Sequence, residues 1–144
     1  MKETAMFTYT RKAQYYETDK MNLIHHSNYI KWMEEARIEY MDNLGFGFFK
    51  VEELGIMSPV ASIAVNYKSP IRFGDIVDIT VSITRYSGVI QEIAYEINNR
   101  TTGQLSAVAS SKHCYTKDGE IVNLKHALPE LDAILKSELA KADN

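Results

Sequence analysis

Residues 27–44 read SNYIKWMEEARIEYMDNL. Tyr29, Trp32, Met33, Ala36, Tyr40 and Leu44 recur there at steps of three and four, the period of one helix face. Ser27 suits the N-cap, and Gly45 stands where a left-handed C-cap is expected. The stripe is wide and aromatic, so this helix is expected to be largely buried. A short second helix, about 47–54, would end at Gly55.

On either side of the helix the pattern is that of strands. Residues 6–15 mix β-branched and aromatic side chains and predict a first strand. After Pro59 the period becomes two: Ile63, Val65 and Tyr67 alternate with polar residues, and Val77, Ile79, Val81 and Ile83 do so more cleanly. Ser87-Gly88 marks a hairpin into a strand with Val89, Ile93, Tyr95 and Ile97 on one face. Thr102-Gly103 turns the chain into a strand over 104–117, and Asp118-Gly119 is a strong hairpin signal. Successive antiparallel strands with short turns predict a meander with one polar face. An amphipathic helix over about 128–141 follows, with Pro129 in its first turn and Leu128, Leu131, Leu135 and Leu139 on one face. An apolar helix and a sheet with one apolar face bury both surfaces if the sheet wraps the helix, which gives an α+β domain over residues 1–144.

Composition narrows the functional classes. The net charge is −3 and Lys and Arg are scattered, which argues against nucleic acid as a partner. One cysteine, Cys114, excludes an intramolecular disulfide and a cysteine-based zinc site, and a reducing cytoplasm is the expected compartment. The first ten residues lack the apolar core of a signal peptide, and no apolar run approaches the ~18 residues of a transmembrane segment.

The chemistry-bearing segment is Tyr16-Glu17-Thr18-Asp19-Lys20-Met21-Asn22-Leu23-Ile24-His25-His26-Ser27-Asn28-Tyr29. It feeds the N-terminus of the most buried helix, where unpaired N–H groups and partial positive charge suit a carbonyl oxygen that gains charge. A nearby carboxylate can attack that carbonyl or deprotonate a water. Loops are also rich in Asp, Asn and His for turn reasons alone. His25 and His26 with Glu17 or Asp19 invite a metal reading, but consecutive residues rarely face one ion and no second pair has metal spacing. His113 and Cys114 lie in a strand and face opposite sides, which makes a poor Cys–His pair. Lys68 and Arg72 flank the Ser69-Pro70 turn, where they could meet an anionic ligand.

Three stretches resemble the 4-hydroxybenzoyl-CoA thioesterase branch of the hotdog superfamily, which also includes the Tol–Pal-associated acyl-CoA thioesterases. They are Tyr16–Asp19 with His26 and Tyr29 seven and ten residues beyond the Asp, Trp32–Arg37, and Tyr67–Asp75. The resemblance implies a hotdog fold, subunits paired by their sheets as a homodimer or homotetramer, an active site near the interface, and no cofactor or metal. It implies hydrolysis of an acyl-CoA thioester, with an acyl carrier protein thioester as the other donor. Asp19 would be the nucleophile or general base, and His26 would orient the carboxylate or thioester. Backbone N–H groups around His25, Ser27, Asn28 and Tyr29 would polarise the carbonyl, and Lys68 and Arg72 are the candidate anion contacts. One departure is Asn22, where the family has Gly; Asn also tolerates a left-handed backbone. The rival readings are a hotdog lyase that hydrates enoyl-CoA and a non-catalytic acyl-thioester binding module.

Overall fold

The computed structural model describes residues 7–142, so Met6 of the expected first strand lies outside the described residues. The elements run β1 (Phe7–Lys12), a 3-10 turn (Tyr15–Glu17), α1 (Ser27–Asn43), α2 (Phe48–Glu53), β2 (Ile56–Met57), β3 (Val60–Tyr67), β4 (Ile76–Tyr86), β5 (Ile90–Asn99), β6 (Gln104–Cys114), β7 (Thr116–Lys117), β8 (Glu120–Ile121), α3 (Leu124–Ala127) and α4 (Pro129–Ala142). The fold is α+β: one five-stranded antiparallel sheet against helices, with a small three-stranded sheet formed by β2, β7 and β8.

The large sheet has the order β1-β4-β5-β6-β3, so only β4, β5 and β6 form a meander. The expected simple succession fails at β3, which pairs with β6 at the far edge. Residues 68–75 are the reason: they carry the chain past the loop before α1 to the β1 side rather than back along β3, with Ile24 N–H donating to Ile71 O at 2.8 Å and Gly74 N–H to Ala13 O. The first strand is also shorter than expected, because Tyr15–Glu17 coils into the 3-10 turn. The expected strand over 104–117 breaks at Tyr115, whose ring is buried and whose hydroxyl donates to Gln91 Oε1.

Alternation along the strands builds the core. Val77, Ile79, Val81 and Ile83 of β4 and Ile93, Tyr95 and Ile97 of β5 are all buried on one face. Against that face lie Trp32, Met33, Ala36 and Tyr40 of α1, with Leu131 and Leu135 of α4 in the same cluster. Two buried phenols fix α4 in place: Tyr40 Oη donates to Glu138 Oε1 at 2.9 Å, and Tyr86 Oη donates to Asp132 Oδ1. The single turn α3 was not foreseen, although its cap is a familiar one, with Asn123 Oδ1 accepting from Lys125 N–H at 2.9 Å. The Asp118-Gly119 turn joins β7 to β8 with positive φ at both residues, as a type I′ hairpin requires.

Two edges of the sheet differ. Both have a paired neighbour on one side only, but β1 shows Thr8, Thr10 and Lys12 to solvent, whereas β3 exposes Val60, Ile63 and Tyr67.

Asp132→Ala leaves the buried Tyr86 hydroxyl without its acceptor and is expected to cost about 1–3 kcal/mol in urea unfolding. Lys136→Ala removes the exposed end of the Asp132 ion pair and is expected to cost less than about 1 kcal/mol. Equal losses would show that the phenol bond contributes nothing.

Candidate active site

The loop before α1 is held from below by one buried carboxylate. Glu17 is 5% exposed. Its Oε2 accepts from Arg11 of β1 at 2.8 Å and from the Trp32 indole N–H of α1 at 2.9 Å, and its Oε1 accepts from Gln14 N–H at 2.8 Å. Its backbone carbonyl accepts from His25 N–H at 2.8 Å and from the Asn28 amide at 3.0 Å. Strand, turn and helix start are thereby joined at a single residue.

Above this clamp the chain makes a small hairpin, with bridges Thr18–Ile24 and Leu23–Arg72. Asn22 sits in it at φ +63°, a left-handed conformation that Asn tolerates. The turn closes on Asp19, whose Oδ1 accepts from Met21 N–H at 2.8 Å and from Leu23 N–H at 3.2 Å. Its other carboxylate oxygen, Oδ2, has no partner among the described residues.

At the helix start, most N–H groups are already used. Ser27 N–H donates to His25 Nδ1 at 3.2 Å, Asn28 N–H to His25 O at 2.9 Å, and Tyr29 N–H to His26 O at 3.3 Å. His26 N–H has no acceptor among the described residues. This group stands at the positive end of the 17-residue helix α1.

Asp19, His26, Tyr29 and Lys68 line one open cleft of about 310 Å³, together with Tyr67 and Ser69. The other sequence candidates lie outside it. His25 caps the helix and stacks on His26 with ring centroids 4.2 Å apart, and Ser27 Oγ bonds its Nδ1 at 2.8 Å. Asn28 is buried and holds the Glu17 carbonyl. Arg72 belongs to the bridge with Leu23, and its N–H donates to Asp75 Oδ2 at 2.9 Å.

Two residues with clear roles were not singled out from the sequence. Tyr67 donates its hydroxyl to His26 O at 3.0 Å and meets Tyr29 edge-on at 4.9 Å, which walls the cleft from the sheet side. Glu17 was weighed only as a metal ligand, yet all its polar capacity serves the clamp. Burial, then the neighbouring Tyr67, push the Tyr29 phenol up to about 12, so it stays protonated near neutral pH and is a wall or donor, not a base.

One cleft thus offers a helix-start N–H that could take a carbonyl oxygen and a carboxylate with one oxygen anchored and one free. That is equipment for acyl transfer.

Comparison with known proteins agrees. Residues 21–106 match the family model described as the thioesterase superfamily. A Bacillus subtilis (strain 168) protein, YneP, named as a candidate acyl-CoA thioesterase, is 34% identical over 121 residues, covering 83% of this chain and 87% of that one. The crystal structure of a DHNA-CoA thioesterase from Staphylococcus aureus superposes with a TM-score of 0.91 at 31% identity, covering 96% of this chain and 93% of that one. A hypothetical protein of Aquifex aeolicus superposes with a TM-score of 0.84 at 30% identity, covering 90% and 98%.

Glu17→Ala strips the partner from Arg11 and from the buried Trp32 N–H, and is expected to cost about 3 kcal/mol or more. Urea unfolding followed by the fluorescence of Trp32, the single tryptophan, measures it. A cost below about 1 kcal/mol would mean that the loop is held by other means.

Proposed function

Because the chain belongs to the thioesterase superfamily, hotdog-fold hydrolases of thioesters, we propose that it cleaves acyl-coenzyme A to a free acid and coenzyme A with Asp19 as the catalytic carboxylate. The observation that carries this reading is the division of labour in one cleft: Asp19 Oδ1 is spent on Met21 and Leu23 N–H, Oδ2 is without a partner among the described residues, and His26, whose helix-start N–H is unclaimed, lines the same cleft.

In this reading the thioester carbonyl oxygen accepts from His26 N–H, aided by the helix dipole, which stabilises the negative charge as the carbon becomes tetrahedral. Asp19 Oδ2 either attacks that carbon, expelling the thiolate and leaving a mixed anhydride for water to open, or takes the proton from an attacking water. Tyr67 fixes the helix start through its bond to His26 O, and the rings of Tyr29 and Tyr67 exclude water from the sheet side. Lys68, on the rim, is the candidate for the negatively charged phosphates of coenzyme A. No helix among the described residues is long and apolar enough to cross a membrane.

The assembly we propose is a homodimer joined along β3. An eight-residue edge strand with apolar side chains exposed is unusual in a chain that stays alone, and edge-to-edge pairing satisfies its free backbone groups. Antiparallel pairing about the middle of β3 sets Tyr67 of one protomer near Val60 of its partner, so each cleft gains a wall from the other chain.

Thiol release from a panel of acyl-CoA esters tests the chemistry, with Cys114 subtracted as background thiol. Asp19→Asn keeps an oxygen for the two loop N–H groups and replaces the free one. It is expected to fold normally and lose about 100-fold or more in turnover. Full activity in the folded variant would remove Asp19 from the chemistry.

Sedimentation equilibrium tests the assembly. The expected mass is a multiple of the 16.4 kDa chain, falling to that of one chain in Ile63→Asp. A wild-type monomer would overturn the pairing.

A further inference from the structure

Arg37 lies eleven residues beyond His26, about 16 Å along α1 at 1.5 Å per residue. It is 5% exposed, and no carboxylate is within ion-pair distance of it among the described residues. The guanidinium lies over the Phe48 ring at 4.6 Å. Burial holds its pKa below the ordinary value, while Tyr95 and Glu34 act in the opposite direction. A charge in this position is costly unless something pairs with it.

What surrounds Arg37 is open space edged with unsatisfied polar groups. On one side is a cavity of about 510 Å³, lined mainly by apolar side chains such as Met41, Phe48, Val51 and Ile56. On the other is a smaller space of about 100 Å³. Among the described residues, the buried side-chain polar atoms without a hydrogen-bond partner are Ser58 Oγ, Gln91 Nε2 and His113 Nδ1. Each of these side chains lines one of the two spaces beside Arg37. Gln91 is 2% exposed, and Tyr115 Oη claims its Oε1, which fixes the amide with its NH₂ group unused. His113 is pushed down to about 4 by burial and by the Arg37 charge, so it adds no positive charge at neutral pH.

The larger cavity therefore holds one cation and neutral donors, and its carboxylates, Glu34 and Glu52, are on exposed side chains. A single guanidinium matches one planar carboxylate by two parallel N–H···O bonds, with the Gln91 amide and Ser58 hydroxyl as further donors. The apolar walls call for an apolar body, and the volume falls in the usual range for small-molecule sites.

We propose that this cavity is a second binding site, distinct from the Asp19 cleft, that takes a carboxylate carried on an apolar body. Two sources have that chemistry. One is a free apolar acid, the class of product that thioester hydrolysis releases. The other is an acyl group whose far end bears a carboxylate, running along the α1 face from His26 past Ile30 and Glu34 to Arg37. The second source rests on the thioesterase reading, and the first does not.

Isothermal titration of the wild-type protein with octanoate tests the free acid without any turnover. Saturable binding is expected, weakened at least tenfold by Arg37→Met and by Met57→Trp, which fills the cavity mouth without touching the charge. If Arg37→Met does not fold, Gln91→Leu takes its place beside Met57→Trp. The second arm compares KM for octanoyl-CoA and for the CoA monothioester of octanedioic acid. A tenfold preference for the latter that disappears in Arg37→Met assigns the site to the acyl end. Octanoate binding without that preference assigns it to a free acid. No binding and no preference, or either one undiminished in both Arg37→Met and Met57→Trp, overturns the proposal. Inactivity toward every thioester alongside Arg37-dependent octanoate binding would sink the thioesterase reading and keep this one.

Discussion

Glu17 is the residue on which the rest of the site depends. A carboxylate removed from water requires compensation by fixed donors, and three elements supply them: Arg11 from the first strand, Trp32 from the central helix and Gln14 from the turn between. Those donors can reach one carboxylate only when the helix is seated on the sheet. Asp19 follows two residues later and His26 nine later, so the clamp anchors the chain on which both sit, and the Asp19 turn and the Tyr67 bond to His26 O complete their placement. A loop built this way leaves the Asp19 carboxylate half-exposed in the cleft while its root is buried with the core.

Much of the fold was legible in the sequence because it rests on periodicity. The three-and-four spacing from Tyr29 to Tyr40 located α1, and the alternation from Val77 to Ile83 located β4 and its inward face. What periodicity does not encode is which strands pair. β3 and β4 are neighbours in sequence, yet β5 and β6 lie between them in the sheet, because the crossing segment 68–75 is engaged by Ala13 and Ile24. The break at Tyr115 was equally hidden: a buried tyrosine bonded to Gln91 reads in sequence like any strand aromatic.

For the site, Asp19, His26, Tyr29 and Lys68 were recognisable from motif and spacing and do share a cleft, and Asn22 does adopt the left-handed backbone. Glu17 was weighed only as a metal ligand, and Arg37 was noted only as part of the Trp32–Arg37 stretch; neither was assigned to the interior. Both are buried, and only tertiary contacts reveal that. The resemblance pointed to backbone N–H groups around His25, Ser27 and Asn28, whose side chains lie outside the cleft that His26 lines. A helix start turns successive side chains by about 100° each, so neighbours in sequence are assigned to capping, solvent and core in turn.

The unequal edges of the sheet carry a consequence for how copies of this chain could accumulate. In polymer terms, a unit with two reactive ends grows into a chain, whereas a unit with one can only couple and stop. Here β1 presents threonines and Lys12, while among the described residues β3 offers the long apolar rim. In the proposed dimer, lateral joining through β3 consumes the one long apolar edge among the described residues of each partner, so coupling would stop at two chains. The bulge between Val60 and Ser62 shortens that rim at one end, which narrows the range of registers in which the coupling can occur.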